Sequence, residues 1–295
     1  MIEVNNLTKK FGDFYSIQNV DLQIEKGEVF GFLGPNGAGK STTIRHLMGF
    51  IQPTEGQCYI KGMDCRLSTA DIQKFVGYLP GEIAFIDKMT GQQFIKFIAQ
   101  LRGLKDLTRA YELMEYFELN ATGLIKKMSK GMKQKVGLIC AFMHSPEIAI
   151  LDEPTSGLDP LMQTKFIEFI LAEKEKGTTI FMSSHMIEEI EKTCDRVAII
   201  NAGKIVATDT IADLKKRKSK KFIIEFQSEQ ELSRFLNEQF IIEKIGPTKA
   251  IIKVQGNVQT LLPTLANYQI IDLDVISQSL EDIFMHYYET GGKES

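Results

Sequence analysis

The segment Gly34-Pro35-Asn36-Gly37-Ala38-Gly39-Lys40-Ser41-Thr42 constrains this chain more than any other, because it fills the pattern G-x-x-x-x-G-K-[ST] completely. It follows the apolar run Val29-Phe30-Gly31-Phe32-Leu33, which has the character of a strand covered on both faces. It leads into Lys40 to Phe50, which reads as a helix. A strand, a glycine-rich loop and a helix in that order make a phosphate cradle. Glycines let backbone N–H groups converge without a Cβ in the way, and the helix N-terminus adds a favourable dipole. Lys40 is then placed to hold β- and γ-phosphates, and the Ser41 hydroxyl to ligate Mg²⁺.

The run Ile148-Ala149-Ile150-Leu151-Asp152-Glu153 is an apolar strand ending in two acids. That puts Asp152 at the carboxyl edge of a sheet, where ligands of such sheets bind, as the second Mg²⁺ contact. Glu153 is the candidate for polarising the attacking water. His185 follows the strand Thr178–Met182 and the Ser183-Ser184 turn, and so falls at the same kind of edge. It is a candidate γ-phosphate contact, with a capping or surface role as the alternative. The chain has no N-K-x-D motif, which argues against a guanine-reading GTPase.

At 295 residues the chain suits one large domain plus a smaller one. Its net charge of −3 provides no overall basic field and argues against a nucleic-acid partner. Cys58, Cys65, Cys140 and Cys194 form no C-x-x-C pair, so free thiols in a reducing compartment are expected. His46, His144 and His286 have no companion ligands and read as structural. No stretch approaches the ~18 apolar residues needed to span a bilayer. Gly137 to Met143 is the longest candidate, so any membrane role is expected to come through a partner chain.

Residues 1 to 33 read as strands joined by turns. Residues 90 to 145 carry helical spacing instead: Thr90 as N-cap, then Phe94, Phe97, Ile98 and Leu101, then helices over Leu107–Leu119 and Ser129–His144. From 147 the α/β rhythm resumes. Strands are expected at Glu147–Leu151, Thr178–Met182, Asp195–Ile200 and Lys204–Thr208, with a helix opening at Pro160 behind the cap Asp159 and a short one over Met186–Thr193. The run Lys215 to Lys221 reads as a basic linker, a solvated hinge or a contact to an anionic membrane surface. Beyond it come strand 222–227, helix 229–237, strands 240–246 and 249–254, helix 258–266, strand 270–276 and helix 279–288. The first six of these elements make a split βαββαβ order. Residues 291–295 are expected to fray. The domain plan is therefore 1–214 with a helical subdomain at about 88–145, linker 215–221, and an accessory domain at 222–290.

Taken together these residues resemble the nucleotide-binding subunit of ABC transporters over residues 1 to about 215. Thr155-Ser156-Gly157-Leu158-Asp159 resembles the family's D-loop, and Ser183-Ser184-His185 its switch histidine. Thr8-Lys9-Lys10-Phe11-Gly12 resembles the segment whose aromatic stacks on adenine, which makes Phe11 the candidate here, against a packed core role. Met128-Ser129-Lys130-Gly131-Met132 stands where the family writes L-S-G-G-Q. Ser129 and Gly131 match; Lys130 and Met132 do not. Lys130 has two open roles, charge for a phosphate or a side chain extended into solvent. Gly81, with Glu82 next, stands where the family has the Q-loop Gln that reaches Mg²⁺, so Glu82 is a possible metal ligand. The apolar Ile83-Ala84-Phe85-Ile86 beside it is a docking patch for a partner helix or a loop packed on the helical subdomain.

The resemblance implies a P-loop NTPase fold: an α/β core with a mixed sheet and antiparallel N-terminal strands, an inserted α-helical subdomain and a small α+β C-terminal domain. It implies ATP and Mg²⁺ as cofactors and ATP hydrolysis as the activity. It also implies a head-to-tail dimer, with a second copy or a sister ATPase, in which Ser129 and Gly131 address the partner's ATP. The departures and the C-terminal extension resemble the bacterial exporter branch that handles drugs, peptide antibiotics, toxic peptides or lipid-like substrates. There a separate polytopic permease carries the cargo and the ATPase sits peripherally on the cytoplasmic face of the membrane. A ribosome- or DNA-directed ATPase and a regulatory nucleotide-binding module with little turnover are the rival readings.

Overall fold

The computed structural model describes residues 1–216, 219–255, 259, 261–277, 281 and 284. They fall into two compact units divided between Asp209 and Thr210.

In the first unit, β1 (Ile2–Phe11), β2 (Phe14–Ile24), β4 (Glu55–Ile60) and β5 (Met63–Asp64) form an antiparallel sheet in the order β2-β1-β4-β5. A six-stranded sheet lies beyond it, in the order β10-β9-β3-β8-β7-β6. Its strands are β3 (Val29–Leu33), β6 (Val76–Leu79), β7 (Ile148–Asp152), β8 (Thr179–Ser184), β9 (Arg196–Asn201) and β10 (Lys204–Thr210). The central pairs β9/β3, β3/β8, β8/β7 and β7/β6 are all parallel. Every residue of β3, β7 and β8 is buried, as continuous apolar runs between two covering layers require. The helix α1 (Lys40–Leu47) packs between the two sheets, with Ile44 and Leu47 joined to Phe30, Phe32, Ile150 and Phe181 in one core. It ends three residues short of the expected Phe50 because Gly49 takes a left-handed turn at φ 70°.

A helical segment interrupts this core: α3 (Gly91–Leu101), α4 (Thr108–Tyr116) and α5 (Lys130–Phe142). Thr90 and Gln93 form a reciprocal capping box that starts α3. Arg102 ties the segment to α2 (Thr69–Phe75) and β6, donating to the Gln73 carbonyl at 3.0 Å and the Val76 carbonyl at 3.2 Å. His144 sits against the same guanidinium, and burial with that neighbouring charge pushes its pKa down to about 4. This histidine and the buried His46 belong to the framework. His286 and the expected helix 279–288, apart from residues 281 and 284, lie outside the described residues, as does the tail 291–295. On the other side of the parallel sheet, α6 (Pro160–Glu175) and α7 (Ile187–Thr193) complete the layers, and Asp159 caps α6 through the Met162 N–H at 3.0 Å.

The second unit opens with α8 (Ile211–Lys216), followed by β11 (Ser219–Phe226), α9 (Glu229–Phe235), β12 (Ile241–Lys244), β13 (Lys249–Gln255), α10 (Leu261–Leu265) and β14 (Ile270–Ser277). Its antiparallel sheet runs β12-β13-β11-β14. Phe222, Ile224 and Phe226 of β11 pack with Leu232, Phe235, Leu261 and Leu265. Of the expected linker 215–221, Arg217 and Lys218 lie outside the described residues and the rest falls in regular elements. Lys215 and Lys216 close α8, and Lys220 and Lys221 lie in β11. Charge does not prevent strand formation here, because alternation turns Phe222, Ile224 and Phe226 to the core and leaves Lys221 on the other face.

Candidate functional site

The loop 34–39 is shaped by what a side chain would strike. Gly39 has φ 109°, and a Cβ there would stand 2.5 Å from Ile17 Cγ2 and 2.8 Å from the Ser16 carbonyl. Only glycine meets both the conformation and the space. As N-cap of α1 it offers no side-chain acceptor, so the first amides of the helix keep their capacity for an anion. Ser41 is exposed on this first turn, and the Thr42 and Ser16 hydroxyls share a hydrogen bond of 2.8 Å.

Lys40 is 5% exposed and donates to the carbonyls of Gly34 at 2.6 Å and Pro35 at 3.2 Å. Its Nζ also stands 3.0 Å from Glu153 Oε1, in ion-pair range without hydrogen-bond alignment. The other carboxylate oxygen of Glu153 meets His185 Nδ1 at 2.6 Å. The three residues proposed for catalysis therefore stand in one chain, Lys40–Glu153–His185. Strand order makes this possible: β3, β8 and β7 are neighbours, and their carboxyl ends deliver the three side chains to one edge.

Glu153 is held in the left-handed region at φ 51°, a conformation that costs a non-glycine residue about 1–3 kcal/mol and recurs at functional sites. Two residues to which the sequence assigns no such role hold it there. Its N–H donates to Ser183, 3.0 Å from Oγ and 3.2 Å from the carbonyl. Its carbonyl and that of Pro154 accept from Gln134 Nε2 at 3.2 and 2.9 Å. Gln134 is buried on α5 among Val136, Leu138 and Ile139, and a polar residue on such a face is the sequence signal that points to a buried partner.

Asp152 is 3% exposed, with Oδ1 accepting from Ser183 Oγ at 2.6 Å. Its Oδ2 is the atom nearest to where a Cβ on Gly81 would stand, at 3.1 Å. Glu82 is exposed beside it. A serine hydroxyl and a carboxylate are hard oxygen donors of the kind Mg²⁺ takes. Among the described residues no group of three or more His, Cys, Asp or Glu could hold a metal. Mg²⁺ uses one or two protein carboxylates and completes its shell with phosphate and water, so a serine hydroxyl and one carboxylate fit it.

Ser129 caps α5, accepting the Met132 N–H at 3.2 Å. Gly131 sits against the D-loop, where a Cβ would meet the Gly157 carbonyl at 2.6 Å. Lys130 is exposed, with its stem across Gly157 and its Nζ donating to Ser156 Oγ at 2.7 Å. Phe11 is 52% exposed beneath the Lys9 ammonium, so it is not a core residue. Ile83 packs against Gly137 and Phe85 against Phe94, which leaves Ala84 and Ile86 as the exposed part of the expected docking patch.

One buried acid near the site was not anticipated. Glu189 of α7 is 3% exposed and accepts from Ser184 Oγ at 2.5 Å. Burial pushes its carboxyl up to about 7, against the pull of that hydrogen bond and with a further push from Glu153. A raised carboxyl favours the fold below its ordinary titration range and loses that contribution as pH rises through 7. Glu189→Gln is expected to raise Tm at pH 8, by on the order of 3 kcal/mol of stability, and to leave it unchanged near pH 4. Thermal unfolding across that range checks it, and an equal shift at both ends would refute it.

The sequence profile described as ABC transporter matches residues 17–156. The chain is 38% identical over 220 residues to the probable multidrug ABC transporter ATP-binding protein YbhF of Escherichia coli (strain K12), a match that takes in 73% of this chain but only 38% of that relative's length. It is 37% identical over 243 residues to the bacitracin transport ATP-binding protein BcrA of Bacillus licheniformis, across 81% of this chain and 79% of that one. A solved dimeric bacterial ABC transporter cassette superimposes with a TM-score of 0.66 at 25% identity, over 72% of this chain and 99% of that one. With identity of this order along most of both chains in the BcrA match, the molecule belongs to the ATP-binding proteins of the ABC transporter family.

Proposed function

We propose that this chain binds Mg-ATP on the loop 34–42 and hydrolyses it to drive export of a peptide, antibiotic or lipid-like substrate through a separate membrane permease. The observation that carries the reading is the convergence of Lys40, Glu153 and His185 at one sheet edge, with Asp152 next to Glu153 in sequence. Lys40 and the amides of α1 hold the phosphates, Ser41 and Asp152 the metal, and Phe11 the adenine. Glu153 polarises the attacking water, and His185 orients the carboxylate that does so. Magnesium, when bound, neutralises developing charge on the phosphoryl oxygens.

Two such chains, identical or sister, face head to tail, so that Ser129 and Gly131 of each address the ATP of the other. That a solved cassette similar to this chain is dimeric supports the pairing of two chains. Among the described residues no helix is long and apolar enough to cross a membrane; in this reading the permease is a separate chain and the ATPase sits peripherally on its cytoplasmic side. A groove of about 620 Å³ between α2 and α3, lined by Gln73, Ile98, Leu101 and Arg102, offers a partner helix its seat. The multidrug and bacitracin relatives support the substrate class. Isolation from membranes is expected to bring down a polytopic protein whose presence raises ATP turnover. Recovery with ribosomes, or turnover no better than that of a Glu153→Gln variant, would overturn the reading.

A further inference from the structure

Strand β8 ends in two serines, each fully buried at the carboxyl edge of the sheet after the apolar run Ile180-Phe181-Met182. Serine is a poor strand former, and a buried hydroxyl without a partner is costly. A choice against local propensity at such a place calls for a compensating contact. Ser183 has several. It stands directly opposite Asp152 in the β7/β8 pairing. Its Oγ donates to Asp152 Oδ1 at 2.6 Å and accepts the Glu153 N–H at 3.0 Å. The first is a charge-assisted bond, shorter and stronger than one between neutral groups. Because Oδ1 is engaged, the carboxylate cannot rotate freely, and Oδ2 is the oxygen left facing Gly81. One hydroxyl therefore fixes the orientation of one acid and the backbone of the next.

We infer that Ser183 is a positioning residue that sets the Asp152 carboxylate for the metal and holds Glu153 in its left-handed conformation. The inference rests on the roles proposed above for Asp152 and Glu153. The phosphates are held by other residues, on the loop 34–42, so removing the hydroxyl should weaken the metal without weakening the nucleotide.

Threonine and valine differ at this position only by a hydroxyl against a methyl, so the full-length variants Ser183→Thr and Ser183→Val form the central comparison, with Ser183→Ala beside them. Mn²⁺ binding is followed by electron paramagnetic resonance with a saturating non-hydrolysable ATP analogue, and analogue affinity is measured separately in EDTA. Ser183→Val and Ser183→Ala are expected to weaken Mn²⁺ binding roughly tenfold or more, the usual weight of a hydrogen bond to a charged group. Ser183→Thr should stay within about threefold of the unaltered protein, and metal-free analogue affinity should not change in any variant. Equal Mn²⁺ affinity in the Thr and Val variants overturns the proposal, as does a lowered Tm with unchanged Mn²⁺ affinity, which would give Ser183 a structural role only. Failure of the unaltered protein to bind the analogue would count against the nucleotide site itself, a separate result.

Discussion

Glu153→Gln is expected to lower ATP turnover by roughly 10²–10⁴-fold while nucleotide binding survives. The substitution keeps size and shape, so the left-handed backbone and its bonds to Ser183 and Gln134 have no reason to move. What changes is charge. The amide oxygen is a far weaker base than the carboxylate, so help in drawing a proton from the attacking water is lost. The ion pair with Lys40 is lost as well, which frees that ammonium for phosphate, so binding should hold or tighten. Single-turnover release of inorganic phosphate measures the first effect and titration with a fluorescent ATP analogue the second. A variant that hydrolyses normally, or that no longer binds, would remove Glu153 from the role of base.

Lys40→Ala has the second large effect, on binding itself. The ammonium is almost wholly buried, anchored by two loop carbonyls and aimed past them at Glu153. A cation fixed in that way is the main charge partner for a polyphosphate, and its removal is expected to weaken ATP affinity roughly 100-fold or more. It also leaves the Glu153 carboxylate with its 2.6 Å contact to His185 Nδ1 at this edge. Equilibrium binding of the analogue in EDTA isolates the phosphate contact from the metal. Unchanged affinity would refute the assignment of the loop.

The two acids and the lysine were legible in the sequence because each sits at a fixed distance from a local signal. Lys40 follows the glycines, and Asp152 and Glu153 end an apolar strand. The residues that hold them were not legible. Ser183 lies 30 positions from Glu153 and Gln134 lies 19 from it, and no local pattern links them until β7, β8 and α5 are packed together. Residues 51 to 79 show no element in the sequence for a related reason. β4, β5, α2 and β6 are 2 to 7 residues long, too short for either period to repeat, and their pairing partners are distant. The basic run reads as a linker from its charge density, whereas the alternation of Phe222, Ile224 and Phe226 that follows it draws Lys220 and Lys221 into a strand.

Lys130 shows the same division. From the sequence it had a choice between phosphate and solvent, whereas in the fold the left-handed Gly157 opens a track for its stem toward Ser156. By itself the sequence determined that this chain has an α/β core built on a phosphate-binding loop, since glycine spacing and apolar periodicity act over a few residues at a time. Only the tertiary structure decided how Lys40, Glu153, His185 and Ser183 meet. A hydrogen bond of 2.6 Å depends on strand order and register, and those are set by burial of the whole sheet and not by any one segment.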